Sequence, residues 1–187
     1  MAAGHGLDLS RSLFLLNGHA MLNILFLCTH NSARSILAEA LLNHLDRQAP
    51  ERRFKAWSAG STPRVNPKPH PLALEVLQHA GISIEGLHSK SWDAFAAPTA
   101  PHMDLIITVC DNAAGEVCPV WPGHPASAHW GYADPSAGDG SDDSKRAAFR
   151  HTLLEMGQRL SLLMNLPPEK LEHTLLQDTA RGLAAGG

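Results

Sequence analysis

The segment NILFLCTHNSARSILAEALLNHL, Asn23 to Leu45, decides how this chain is read. Leu22 to Leu27 is almost wholly apolar, the pattern of a short strand buried on both faces of a parallel sheet. Ile36, Leu37, Ala40, Leu41 and Leu45 then recur at helical spacing. Between strand and helix lies C-T-H-N-S-A-R-S, Cys28 to Ser35. A tight loop in that place can turn successive backbone N–H groups inward and form an anion nest at a helix N-terminus. The same positive field favours the thiolate form of a cysteine placed beside it. Arg34 can fork onto two oxygens of an oxyanion. Ser35 can donate its hydroxyl to the thiolate, and Asn31 can brace the loop through its amide. The expected site is therefore Cys28 as nucleophile, with Thr29, His30, Asn31, Ser32, Ala33, Arg34 and Ser35 as the cradle. A buried strand-end cysteine followed by an ordinary surface arginine is the plain alternative. The strand before, the serine after and the helix beyond argue against it.

Working outward, RRFKAWSAG predicts a second strand ending at Gly60, and NPKPHPLALEVLQHAGI a helix leaving at Gly81. MDLIITVC predicts the third strand and ASAHWGYADP the fourth. A long helix follows, capped by Ser141 or Ser144, with Phe149, Leu153, Met156, Leu160 and Leu163 on one face. Leu166-Pro167-Pro168 stops it. Strands alternating with helices make an α/β fold with a mainly parallel sheet. Such sheets bind ligands beyond the carboxyl ends of their strands. Cys28 ends the first strand and Cys110 the third, so both belong to one rim.

The 187 residues suit one domain. Residues 1–20 are expected to be an N-terminal extension, 21–166 the folded domain, and 167–187 an amphipathic helix with a flexible tail. A hydrophobic content of 44% with 18% charged residues excludes a disordered chain and a membrane span. A net charge of -3 gives no general pull toward nucleic acid. The three cysteines, Cys28, Cys110 and Cys118, are too few and odd in number for a secreted disulfide framework. Asp8 precedes Arg11, and Asn17, Gly18 and His19 interrupt the apolar run before Cys28, against a signal peptide. A cytoplasmic protein with reduced thiols is expected. Twelve histidines invite a zinc site. The set Cys110, Cys118, His124 and His129 does not have the spacing of a structural finger, and no metal is expected.

The C-x5-R-S loop resembles that of the low-molecular-weight protein tyrosine phosphatases and of the arsenate reductases that share their fold. Cys28, Arg34, Ser35 and Asn31 match residue by residue, and the likeness runs from Leu22 to Met164 through Trp57–Gly60, NPKP and Asp134-Pro135. It implies a flavodoxin-like three-layer sandwich. It also implies that Cys28 attacks a tetrahedral oxyanion held by Arg34, while Asp134 protonates the departing oxygen. By the same likeness Cys110 and Cys118 belong to a Cys28–Cys110–Cys118 disulfide relay that turns arsenate into arsenite. An external thiol, thioredoxin or glutathione with glutaredoxin, would close the cycle without a bound cofactor. Phosphate and sulfate are the expected competitors. The alternative is a phosphatase working through a Cys28 phosphocysteine. Its phosphotyrosine-specific members carry aromatic residues after the Asp-Pro, where this chain has the small, acidic DPSAGDGSDDS. Two departures stand out: Ala33 replaces a cysteine found inside the loop of relatives, and the Cys110-to-Cys118 step is one residue longer. Some members hold potassium behind the loop. Asn31, Glu39 and Ser58 match that site, with Ser91 in place of an aspartate.

Overall fold

A computed structural model describes residues 21–62, 68–110, 125–137, 140–171 and 173–185. Cys118, His124 and residues 1–20 lie outside the described residues. The central strand β1, Leu22–Cys28, has β2, Phe54–Gly60, on one side and β3, Leu105–Thr108, on the other. β4, Ala126–His129, completes the sheet in the order β2-β1-β3-β4. All pairings are parallel, from Leu22↔Phe54 to Cys28↔Gly60 on one side of β1 and from Ile24↔Leu105 to Leu27↔Thr108 on the other. The connections leaving β1 and β2 run in opposite directions along the sheet. The order therefore reverses between β1 and β3, which makes a ligand crevice at their carboxyl ends.

Alternation divides the apolar strands between two layers. Ile24, Phe26, Leu105 and Ile107 join the main core with α1 (Arg34–Gln48), α2 (Pro71–His79), α4 (Asp142–Met164) and α5 (His173–Ala185). Leu25, Leu27 and Ile106 face a smaller cluster built on Phe95 and Met103. Among the described residues this second layer is thin: its helix is α3, Asp93–Ala96, a single turn that the sequence pattern did not predict. Trp57 fills the remaining space edge-on to Phe95, centroids 6.0 Å apart. The fold is the α/β sandwich expected.

Other expectations are sharpened. The third strand ends at Thr108, and Val109 continues it only through its N–H to the Leu27 carbonyl at 2.8 Å. Ser141, not Ser144, caps α4, its hydroxyl accepting from the Ser144 N–H at 3.2 Å. α5 is anchored over β4: the Trp130 indole donates to the Ala180 carbonyl at 2.9 Å, and Arg181 donates to Ser127 O. Asp46, fully buried, accepts from the backbone N–H groups of Arg53 and Phe54 at 2.8 and 2.9 Å and so starts β2. Among the described residues no helix is long and apolar enough to cross a membrane.

Candidate functional site

Cys28 is the last residue of β1, and the chain from Thr29 to Ala33 turns directly into α1. Asn31 makes that turn possible. Its φ of 49° lies in the left-handed region, which asparagine tolerates better than most side chains. The turn aims the Asn31 backbone N–H at Cys28 Sγ, 3.2 Å away. The first residue flanking α1, Ala33, offers no side-chain cap. The opening N–H groups of a helix left in this way are available to an external acceptor. No acidic side chain stands in the first turn to compete for them.

The loop is held from behind. Gly60 of β2 approaches so closely that a Cβ there would lie 2.9 Å from Thr29 O and 3.0 Å from Asn31 N. Ser61 N and Thr62 N donate to the Cys28 and Thr29 carbonyls, and His70 N to the Ser32 carbonyl. The buried amide of Asn31 carries the rest. Its Nδ2 donates to Ser35 Oγ at 2.9 Å and Ser58 Oγ at 2.8 Å, and its Oδ1 accepts from Lys90 N at 2.7 Å. Ser35 Oγ stands 2.9 Å from Cys28 Sγ. The sulfur thus faces a hydroxyl and a backbone N–H, a pair suited to a thiolate.

A cleft of about 170 Å³ opens over this loop, lined by Cys28, Thr29, His30, Ser32, Ala33, Arg34, His70, Asp134 and Ser136. Seven of the nine are positions expected from the sequence. The cradle residues Asn31 and Ser35 sit fully buried behind it. Arg34 does not reach into an empty cleft. It donates from one nitrogen to the Tyr132 carbonyl at 3.0 Å and from another to Asp134 Oδ2 at 2.9 Å. Asp134 Oδ1 accepts from the Ser136 hydroxyl at 2.7 Å and its N–H at 2.9 Å. Burial works to raise the pKa of Asp134. The two Ser136 hydrogen bonds, the Arg34 guanidinium and His30 outweigh it and hold the carboxyl below its ordinary range. In this state Asp134 is the counter-ion of Arg34.

Cys110 lies one residue past the last β3 hydrogen bond, nearly fully buried in the same core as Cys28. Its sulfur is 3.6 Å from Thr29 Oγ1, the hydroxyl of the residue that follows Cys28. The shared rim expected for the two cysteines is therefore present. Two wall residues, His70 and Ser136, escaped the sequence reading, as did Lys90 behind the loop. His70 caps α2 with Nδ1, accepting from Leu72 N at 3.2 Å, and its ring stacks on Phe149. The crowded PKPHP entry to that helix was its only signal. Lys90 lies behind the loop with no pattern to mark it.

The potassium position implied by the resemblance does not fit this chain. Asn31, Glu39 and Ser58 do converge, but Lys90 Nζ is 3.2 Å from Glu39 Oε2 and so already supplies the cation. Among the described residues no cluster of three or more histidine, cysteine or carboxylate side chains is placed to hold a metal.

Comparison with known proteins agrees with this geometry. The model of the low molecular weight phosphotyrosine protein phosphatase family matches residues 23–176. That span reaches past Met164, where the likeness read from the sequence ended. Over 138 residues the chain is 35% identical to an arsenate reductase of Halalkalibacterium halodurans, covering 73% of this chain and 91% of that protein. The arsenate reductase of Bacillus subtilis is 34% identical with the same coverage. A solved arsenate reductase described in its phosphate binding state superposes with a TM-score of 0.59 at 25% identity, over 77% of this chain and 97% of that one. The chain belongs to the low molecular weight phosphotyrosine protein phosphatase family.

Proposed function

We propose that this protein reduces arsenate to arsenite in the cytoplasm by a thiol relay that begins at Cys28. The observation that carries the proposal is the second thiol. Cys110 is buried at the end of β3, its sulfur against the hydroxyl of the residue after the nucleophile. A hydrolase that passes a phosphoryl group to water needs one cysteine only. The likeness to curated arsenate reductases supports the same choice.

In the proposed sequence the Cys28 thiolate attacks arsenic and an S–As bond forms. The departing oxygen leaves as water with a proton from Asp134. The carboxyl is held as a carboxylate by Arg34 and Ser136 in the resting site. When the oxyanion draws Arg34 away, the negative charge of the ligand favours protonation of Asp134. The Cys110 thiolate then attacks Cys28 Sγ. The S–As bond breaks with its electron pair going to arsenic, and arsenite leaves from a Cys28–Cys110 disulfide. Cys118 attacks Cys110, restores the Cys28 thiolate, and leaves a Cys110–Cys118 disulfide. Thioredoxin, or glutathione with glutaredoxin, returns the two electrons. Phosphate and sulfate enter the same cleft as competitors.

The test is arsenite production with each reductant supplied separately. Wild type is compared with Cys28→Ser, Cys110→Ser and Cys118→Ser, and p-nitrophenyl phosphate hydrolysis is followed in parallel. Cys28→Ser is expected to abolish both activities. Cys110→Ser and Cys118→Ser are expected to abolish arsenite turnover while ester hydrolysis persists. Arsenite turnover that survives in the Cys110 and Cys118 variants would refute the relay.

A further inference from the structure

The hydrogen bonds behind the loop have a definite proton order, and it starts at a lysine. Ser58 has one proton and gives it to Glu39 Oε2. Ser58 Oγ must therefore accept from Asn31 Nδ2, as the 2.8 Å contact allows. Asn31 cannot present its carbonyl to Ser35, because Oδ1 is taken by the Lys90 N–H. Its remaining amide proton goes to Ser35 Oγ, which leaves the Ser35 hydroxyl proton for Cys28 Sγ. The chain of donors is fixed at Asn31 by the Lys90 N–H, ends on the nucleophile, and has the Glu39 carboxylate behind it.

Among the described residues the Glu39 carboxylate has one cation in ion-pair contact. Lys90 Nζ sits 3.2 Å from Oε2 and donates also to the His88 carbonyl at 3.1 Å. Both side chains are mostly buried, at 13% and 11% exposure. The pair opens onto a separate cleft of about 430 Å³ on the far side of the loop, whose other charged and titratable linings are Arg47, Lys55, Glu85 and His88. Lys90 does not line the cleft that holds Cys28. We propose that Lys90 is a positioning residue, a covalently tethered cation that neutralises the Glu39 carboxylate behind the donor chain that ends at Cys28. Without it, an uncompensated carboxylate opposes negative charge on Cys28 and on the bound oxyanion. That weakens the nucleophile. The chain then needs no dissociable cation behind the loop.

This inference rests on the reading of Cys28 as the nucleophile, and the experiment separates the two. Alkylation of Cys28 by iodoacetamide is followed at neutral pH by peptide mass spectrometry on full-length wild type, Lys90→Met, Lys90→Gln and Lys90→Arg. Phosphate affinity and melting temperature are measured on the same samples. All are compared in potassium chloride and in tetramethylammonium chloride at equal ionic strength. Lys90→Met and Lys90→Gln are expected to react about tenfold more slowly and bind phosphate about tenfold more weakly. Lys90→Arg, which keeps the charge, is expected to stay within about twofold of wild type. Potassium is expected to restore part of the loss in Lys90→Met and to leave wild type unchanged. Gln can still donate to Glu39, so it keeps the variant folded while removing the charge. Alkylation of Lys90→Gln at the wild-type rate would overturn the inference, as would equal impairment of Lys90→Arg or a potassium response in wild type. An unreactive Cys28 in wild type would instead overturn the functional reading itself.

Discussion

Replacing Gly60 by alanine tests whether the loop's position, and not merely its residues, makes the site. The added Cβ would lie 2.9 Å from Thr29 O, 3.0 Å from Asn31 N and 3.0 Å from His30 C, where ordinary contact begins at 3.4 Å. The gap must open by about 0.4–0.5 Å, and both walls are backbone. Neither side yields easily. Gly60 pairs with Cys28 across the sheet and donates to Lys90 O at 2.8 Å, while Thr62 N ties Thr29 back at 2.9 Å. Overpacking of this kind costs about 1–3 kcal/mol. At roughly 2–4 °C per kcal/mol for a domain of this size, melting should fall by about 2–12 °C. The larger effect is local. Asn31 N, one of the pushed atoms, donates to Cys28 Sγ. If a misplacement of about 1 Å costs about a hundredfold, half of that costs on the order of tenfold. Phosphate titration calorimetry and iodoacetamide kinetics on Gly60→Ala should both show it. The control is Gly81→Ala, at a φ of 71° with nothing within 4 Å of the new Cβ. It should lower melting through backbone strain and leave the site untouched. Wild-type phosphate affinity and Cys28 reactivity in Gly60→Ala would refute the reasoning.

Asp134→Asn should bind phosphate a few-fold more tightly, because Arg34 no longer has to leave a partly exposed ion pair worth about 0.2–1 kcal/mol. The same variant should lose about 10²–10⁴-fold in turnover if Asp134 supplies the proton, and calorimetry beside steady-state kinetics reads both. Its effect on stability has a sign as well. A carboxyl held below its ordinary range contributes stability above the unfolded value and loses it as pH falls through the folded one. The melting difference between wild type and Asp134→Asn should therefore be present at neutral pH and vanish toward strongly acid pH. It should be small, since the Asp134 side chain is 38% exposed. Asp46→Ala strands the N–H groups of Arg53 and Phe54 at about 1–3 kcal/mol each. Calorimetric melting should fall by several degrees or more with phosphate affinity unchanged; a fall under about 2 °C would contradict the role given to Asp46.

What could be read from the sequence here was what local pattern controls. An apolar run with no polar face has to lie between two layers, and Ile24 to Leu27 are all almost fully buried. The contacts around the sulfur, from Cys28 to Asn31 and Ser35, lie within seven residues, so their chemistry was visible as spacing. The charged partners were not local. Arg34 meets Asp134 across 100 positions, and Lys90 meets Glu39 across 51 and Asn31 across 59. Whether such side chains face one another is decided by sheet register and by where each connection returns. Asp134 was found because the resemblance supplied it. Lys90 was missed because a lysine in HSKSW reads as an exposed loop residue, and nothing in the neighbouring residues says otherwise. Its burial follows from the segment's place beside β2, where Gly60 N donates to Lys90 O and Gly60 bridges Ser91. That arrangement sets the Lys90 N–H against Asn31 while the side chain turns back to Glu39. The residue that lets the loop pack close, Gly60, thus also brings in the cation behind it. A change at Gly60 should therefore disturb the Lys90–Glu39 pair as well as the turn at Asn31, and combining Gly60→Ala with Lys90→Gln should cost less than the two separate losses together.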